Sequence, residues 1–288
     1  MKALLFGAGQ LGQELARTCP DGVEPELVDR DRADITDAAA VGELVGRLRP
    51  GLIVNAAAYT YVDRAEAERE VAFAVNDQGA GNVAAAAARA GARLVHISTD
   101  FVFDGRKGRP YLPQDPPRPL SVYGASKRAG EARVLAGRPD AVVVRTAWLY
   151  AAHGSNFVQT MLRLMGQGEP LRVVADQVGS PTWARPLAQA LWRLALNPAA
   201  HGLQHWTDDG VASWYDFAVA IQEEALALGL LTAAVPITPI RTEAYPTPAT
   251  RPAFSVLDCA QTRALAGLEG RHWRVALRAM LAELAARS

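Results

Sequence analysis

The chain has 288 residues, half of them hydrophobic and 21% charged, with 30 Lys and Arg against 30 Asp and Glu. That balance excludes a disordered chain, and zero net charge speaks against a nucleic-acid partner, whose phosphates demand excess positive charge. No apolar run approaches the ~18 residues of a membrane-spanning helix, so no membrane partner is expected.

The length suggests one large domain or two small ones. The opening MKALLFG is too short an apolar run for a secretory signal and has no cleavage site. Cys19 and Cys259 lie far apart and form no CxxC, which predicts free buried thiols in a reducing compartment and a cytoplasmic location. His201 and His205 form an HxxxH pair, but Pro198 and Gly202 flank it and no third ligand stands nearby. The expectation is two surface histidines and no metal. Arginine outnumbers lysine heavily, and the three lysines, Lys2, Lys107 and Lys127, mark places where an ammonium does what a guanidinium cannot.

Short apolar runs alternate with helical patterns through the first half. Strands are predicted at Ala3–Phe6, Pro25–Val28, Leu52–Val54, Leu94–Ile97 and Ala141–Val144. Helices are predicted at Leu11–Arg17, Ala38–Arg47, Ala72–Ala90 (one long helix ended by Gly91) and Ser121–Leu135. The strands are continuous apolar runs with little alternation, the pattern of a parallel sheet covered on both faces. The expected fold is therefore α/β, a doubly wound, Rossmann-like parallel sheet. The Pro-rich run Asp104–Leu120 breaks the rhythm, and a loop of that length in a compact domain is usually functional. After about residue 150 the alternation becomes irregular, with helices expected at Phe157–Met165, Pro186–Leu196, Trp214–Leu226 and Trp273–Ala286 and an extended or looped Pro236–Pro252. The expected division is an NAD(P)-binding domain over 1–150 and a smaller, partly interleaved substrate domain over 151–288, with roughly 176–207 returning to the first sheet.

Gly7-Ala8-Gly9-Gln10-Leu11-Gly12 fits GxGxxG between a strand and a helix. Gly7 permits the turn, Gly9 lets the backbone approach a pyrophosphate, and Gly12 lets helix and sheet pack closely. The helix N-terminus offers N–H groups to phosphate. The next strand ends at Asp29, near the offset of a ribose-binding acid, which favours NADH, while Arg30 and Arg32 favour the 2′-phosphate of NADPH. The residues leave both cofactors open. Asp34 and Ile35 are placed to flank the adenine, with a helix cap as the other reading of Asp34. The small residues Ala56, Ala57 and Ala58 after Asn55 leave room for a ribose.

Tyr123 and Lys127 stand four residues apart, hence on one helix face. A lysine and the positive charge of an oxidised nicotinamide beside a phenol favour phenolate and are expected to lower the tyrosine pKa, giving an acid that serves a developing alkoxide near neutral pH. Ser98-Thr99-Asp100 follows a strand, where ligands of doubly wound sheets bind. The Thr99 hydroxyl can therefore hydrogen-bond a carbonyl oxygen as it becomes negative.

Together these residues resemble the extended short-chain dehydrogenase/reductases. The motifs NAAAYTxVDxAE (55–66), STDxVFDG (98–105), YGxSK (123–127), RTxWxY (145–150), NFVxTM (156–161), DQxGxPT (176–182) and RPxxSxLD (251–258) run in the order seen in dTDP-4-dehydrorhamnose reductases. That resemblance implies hydride transfer from NADPH or NADH to C4 of a dTDP-linked 4-keto-6-deoxy-L-sugar. Tyr123 would be the proton donor, Lys127 the ribose ligand that tunes it, and Thr99 the group that orients the carbonyl. It implies cofactor contacts at Gly7, Gly9, Gln10, Leu11, Gly12, Asp29, Arg30, Asp34, Ile35, Ala56, Ala57, Ala58, Tyr59, Tyr123 and Lys127. It implies substrate contacts at Thr60, Val62, Thr99, Asp100 and Trp148, and more weakly at Gln177, Thr182 and Arg251, with Arg251 offsetting diphosphate charge. Related family members hold a metal with glutamates at a dimer interface. Glu14 matches one of these, but Arg185 stands where another is expected, so no metal is expected here. The glycine loop is also one residue shorter than the family's usual GxxGQLG. A homodimer is left open, as is a non-catalytic NADP-binding role like that of the methionine adenosyltransferase β subunit, which resembles the same family, or the reduction of a different nucleotide ketosugar.

Overall fold

The computed structural model describes residues 1–287. Five strands of the first half, β1 (Lys2–Phe6), β2 (Glu24–Val28), β3 (Leu52–Asn55), β4 (Arg93–Thr99) and β5 (Val142–Thr146), join a sixth, Gly202–His205, in one parallel sheet. The order across the sheet is Gly202–His205, β5, β4, β3, β1, β2. The chain therefore reverses direction between β1 and β3, the switch point where doubly wound sheets open a crevice at the carboxyl ends of their strands.

The apolar runs are continuous because both faces are covered. Ala3 and Leu5 of β1, Val54, Val95, Val142 and Val144 face one layer, where α1 (Gln10–Arg17) packs with a helix of the second half. Leu4, Phe6, Ile53, Leu94 and Val143 face the other, against α2 (Ala38–Leu48) and the helices Ala80–Ala90 and Val122–Gly137 in the same layer. Asp37, not Asp34, caps α2, its carboxylate accepting from the Ala39 and Ala40 N–H groups. Asp34 instead accepts from Thr36 and pairs with Arg30.

The segment expected as one helix over 72–90 is interrupted. After α3 (Arg64–Ala67) and α4 (Arg69–Phe73), residues Ala74–Gly79 form a π-helical stretch before α5 (Ala80–Ala90). The cause is Asn76, which is buried and satisfied from outside the helix. Its Oδ1 accepts from Tyr59 N (2.9 Å), and its Nδ2 donates to Tyr59 O (3.0 Å) and Ser126 Oγ (2.9 Å). The helix α6 (Val122–Gly137) passes so close that a Cβ at Gly130 would meet the Asn76 carbonyl at 2.0 Å. Such bulges are frequent at functional sites.

The second half builds its own core from α7 (Phe157–Gly166), α9 (Trp214–Ala227) and α11 (Trp273–Ala285), with Tyr150, Phe217, Ile221, Leu277 and Met280 buried among them. By contrast α8 (Ala184–Leu196) packs on the first sheet with α1, and α10 (Ala260–Ala266) follows on that side. The Pro-rich loop is ordered by the second half. Tyr111 exchanges backbone hydrogen bonds with Val256 and Asp258 and stacks on Phe103 at 4.1 Å. His205, expected at the surface, is fully buried although its strand is an edge of the sheet, because Phe103, Tyr111 of the Pro-rich loop and Arg145 close over it. It contacts the Tyr111 carbonyl at 3.0 Å, and burial beside Arg145 pushes its pKa down to about 3. Cys259 is buried and Cys19 half-buried, both free. Among the described residues no helix is long and apolar enough to cross a membrane.

Candidate active site

A cleft of about 920 Å³ opens over the switch point. Its floor is the glycine loop. Gly7 has φ +99°, and a Cβ there would strike the Ala56–Ala57 backbone at 2.6–2.9 Å. A Cβ on Gly12 would sit 1.9 Å from the Gly7 carbonyl oxygen, so α1 can lie against the loop only with glycine there. A Cβ on Gly9 would meet nothing within 4 Å, and no side chain caps the helix there. The loop thus leaves open backbone at a helix N-terminus, which suits a dinucleotide pyrophosphate. Gln10 and Leu11 line the same floor. The shorter loop therefore keeps the geometry that the motif's glycines require.

At one end of the cleft lie Asp29, Arg30, Asp34 and Ile35. Arg30 is largely exposed and donates from Nε to Asp34 at 2.9 Å. Asp29 accepts from the Arg32 N–H, while the Arg32 guanidinium is turned away to Glu26. Arg30, not Arg32, is therefore the cation available beside Asp29. Ala56, Ala57, Ala58 and Tyr59 form the next stretch of wall, followed by Thr60 and Val62.

At the other end α6 brings Tyr123 and Lys127 under the ends of β4 and β5. Ser121 caps α6 by accepting from Gly124 N. Gly124 lets the helix abut the short turn Asp100–Val102: a Cβ there would lie 2.2 Å from the Phe101 carbonyl oxygen. The Tyr123 ring packs edge-on against Phe101, centroids 5.7 Å apart. Lys127 is buried and its Nζ donates to the Ile97 carbonyl at 2.6 Å. Thr99 Oγ1 donates to Asp100 Oδ1 at 3.0 Å and accepts from Phe101 N at 3.2 Å.

The protein's own groups shift Tyr123 in the direction opposite to that expected with the nicotinamide charge added. Burial pushes the Tyr123 phenol up to about 12, with the Thr99 hydroxyl opposing the rise and the Asp100 carboxylate adding to it. Desolvation of the phenolate is the largest cause, and the Lys127 ammonium is committed to a backbone carbonyl. Burial pushes Lys127 down to about 8, with Glu131 opposing. It pushes Asp100 up to about 6, against hydrogen bonds from Ser255 and Thr99.

Trp148 lines the cleft in a left-handed backbone conformation, φ +47°, and lies flat on Trp214, centroids 3.5 Å apart. Gly179 makes room beneath it, since a Cβ there would meet the indole at 2.6 Å. Arg251 also lines the cleft, but it is engaged: its guanidinium forms a two-point ion pair with Asp63, Nη1 to Oδ1 at 3.0 Å and Nη2 to Oδ2 at 2.7 Å. Gln177 and Thr182 are not brought to the cleft. Gln177 donates to Thr242 and Thr182 to the Ser180 carbonyl, both buried in the second half. Glu14 is fully buried on α1 and takes Arg185 at 2.8 Å and Arg17 at 3.1 Å, so a guanidinium neutralises it.

Sequence reasoning missed Asn76, Trp214 and Thr146. Trp214 and Thr146 line the cleft, and Asn76 fixes the Tyr59 segment through both its amide atoms. An asparagine inside an alanine-rich helical pattern is the signal that was available for the last of these.

Residues 1–286 match the family described as "RmlD substrate binding domain". The chain is 43% identical over 286 residues to the spore coat polysaccharide biosynthesis protein SpsK of Bacillus subtilis (strain 168), covering 98% of this chain and 97% of that protein. It is 43% identical over 288 residues to a dTDP-4-dehydrorhamnose reductase of Burkholderia thailandensis, covering 96% and 97%. Its fold is similar to that of the dTDP-4-dehydrorhamnose reductase from Bacillus anthracis str. Ames solved in complex with NADP, with TM-score 0.92, 36% identity and 98% and 99% of the two chains covered. A match running from the glycine loop through α11, at this level of identity, means that the chain belongs to the RmlD substrate binding domain family.

Proposed function

We propose that the protein reduces the C4 carbonyl of dTDP-4-dehydro-6-deoxy-L-mannose to give dTDP-L-rhamnose, using NADPH or NADH. The observation that carries this reading is the convergence of Thr99, Tyr123 and Lys127 at the end of a dinucleotide-shaped cleft. Bound nicotinamide dinucleotide supplies the hydride. With its pKa near 12 the Tyr123 phenol is fully protonated at neutral pH, and it gives that proton to the C4 oxygen as the oxygen becomes an alkoxide, a much stronger base. The Thr99 hydroxyl holds the same oxygen and stabilises its charge. The Lys127 ammonium, anchored on Ile97, serves the ribose.

In this reading residues 1–150 hold the cofactor and most of 151–288 holds the sugar nucleotide, with the part that ends in Gly202–His205 belonging to the first sheet. The Trp148–Trp214 platform gives an apolar wall to the deoxysugar, and Thr60, Val62 and Asp100 complete the sugar site. Arg251, released from or shared with Asp63, meets the diphosphate. The free thiols suit a cytoplasmic location, and sedimentation equilibrium tests a homodimer. The functional test is incubation with dTDP-4-keto-L-rhamnose and each reduced cofactor, followed by product analysis. Absence of cofactor oxidation, or a product epimeric at C4, overturns the assignment.

A further inference from the structure

One pair of charges lies wholly inside the protein. Glu131 on α6 and Arg145 on β5 have no exposed side-chain surface. Arg145 Nε donates to Glu131 Oε1 at 2.7 Å and Nη2 to Oε2 at 2.8 Å. Ser98 Oγ donates to Oε1 at 2.7 Å, and Arg128 approaches Oε2 at 3.4 Å. Arg145 Nη1 also donates to the Pro113 carbonyl at 3.2 Å. A buried ion pair is weak support for stability, because desolving both charges offsets their attraction. Its neighbours suggest another use. Ser98 precedes Thr99, Arg145 precedes Thr146 of the cleft wall, and Glu131 stands one helical turn beyond Lys127 on the same face.

We propose that Glu131, locked by Arg145, is a positioning residue that holds Lys127 as an ammonium and fixes α6 against the ends of β4 and β5. This rests on the reductase reading of the cleft. Lys127 is buried, which favours its neutral form, and Glu131 is the carboxylate that opposes this. The other charged or titratable groups on the packed elements are placed otherwise. His96 on β4 is buried, kept neutral, and bonded to Asn55 at 3.2 Å. Asp100 in the turn after β4 takes the Thr99 hydroxyl. Asp77 in the π-helical stretch is occupied by Arg133, and Glu66 on α3 accepts from Val122 N. Tyr123 and Arg128 complete the set on α6 itself.

The test compares the full-length wild-type protein with Glu131→Gln, Glu131→Asp and the double variant Glu131→Gln/Arg145→Met. NADPH affinity is read by fluorescence titration from neutral to alkaline pH, and kcat/KM for the dTDP-ketosugar is read over the same range. Wild type is expected to lose NADPH affinity as Lys127 deprotonates near pH 8. Glu131→Gln should lose it about one pH unit lower, the double variant with a smaller shift in the same direction because the Arg145 cation goes too, and Glu131→Asp should restore the wild-type limb. If the single Gln variant does not fold, the double variant, which leaves no unpaired buried charge, carries the measurement. An alkaline limb at the wild-type pH in a folded charge-neutral variant overturns the proposal, as does a limb displaced equally in Glu131→Asp. Because NADPH binding is read without the sugar, a wrong substrate assignment shows separately, as absent turnover in wild type.

Discussion

Gly124 offers a sharp test of how the site is assembled. It sits in the first turn of α6, next to Tyr123, and an alanine Cβ there would lie 2.2 Å from the Phe101 carbonyl oxygen and 3.1 Å from the Pro119 ring. Carbon and oxygen that are not bonded approach to about 3.3 Å, so α6 or the Asp100–Val102 turn must yield by about 1 Å. The first of these neighbours is backbone and cannot rotate away. In an unconstrained helix the same change stabilises by about 0.5–1 kcal/mol. Here it separates Tyr123 and Lys127 from Thr99. A misplacement of about 1 Å costs on the order of 10²-fold in rate. We expect Gly124→Ala to lower kcat by about that factor with saturating NADPH and ketosugar, and to lower the thermal midpoint. Wild-type kcat with an equal or higher Tm would refute the reasoning, because it would mean that α6 does not need to touch the turn.

Tyr123→Phe removes the proton donor and should lower kcat by about 10²–10⁴ while leaving NADPH affinity in place; near-normal turnover would count against the role. Arg30→Ala should weaken NADPH by roughly tenfold more than NADH, since the exposed guanidinium is the cation available beside Asp29, and equal losses for the two cofactors would contradict that. Trp148→Ala should lower kcat/KM for the sugar nucleotide, with Trp214 left without its stacking partner; unchanged kcat/KM would remove the indole platform from the sugar site. His205 stays neutral in the native state down to about pH 3 while the unfolded chain protonates it near 6.5. The unfolded state then binds more protons, so stability falls as pH drops from about 6.5 toward 3, by at most about 1.4 kcal/mol per pH unit from this group. Urea midpoints of wild type and His205→Gln between those pH values measure it, and parallel curves would contradict the assignment.

The sheet and the cleft floor were legible because their determinants are local. Buried parallel strands must be apolar throughout, and glycines at Gly7, Gly9 and Gly12 are forced by a turn, an approach and a packing distance. The Tyr123–Lys127 pair was legible because helical spacing alone puts both on one face. What escaped depends on partners distant in the chain. The break at Ala74–Gly79 comes from Asn76 bonding to Tyr59 and Ser126, 17 and 50 residues away. His205 looked exposed because no local pattern says that residues 202–205 add to a sheet begun two hundred residues earlier. The protein's own push on Tyr123 was hidden for a similar reason: spacing reveals a neighbouring lysine, but not that its ammonium is held by a carbonyl or that desolvation pushes the phenol pKa up. Gln177 and Thr182 sit in motifs of the second half, whose short strands carry no periodicity that predicts which side chains turn inward.

The late arrival of Gly202–His205 also bears on how the protein is made. Until that strand pairs with β5, the fully buried run Val142–Thr146 is an open sheet edge, a template for pairing with other chains. One face of the same sheet waits for Leu187 and Leu191 of α8. A nascent chain that has emerged only through residue 150 therefore carries every cofactor-loop glycine yet has no closed core to fold around, and the vectorial order of synthesis leaves this edge unprotected until some fifty more residues leave the ribosome. A truncated cofactor half should for the same reason accumulate as aggregate, whereas a circular permutant that opens the chain between Leu135 and Val142 and joins the native termini would deliver both partners of that edge before the other four strands.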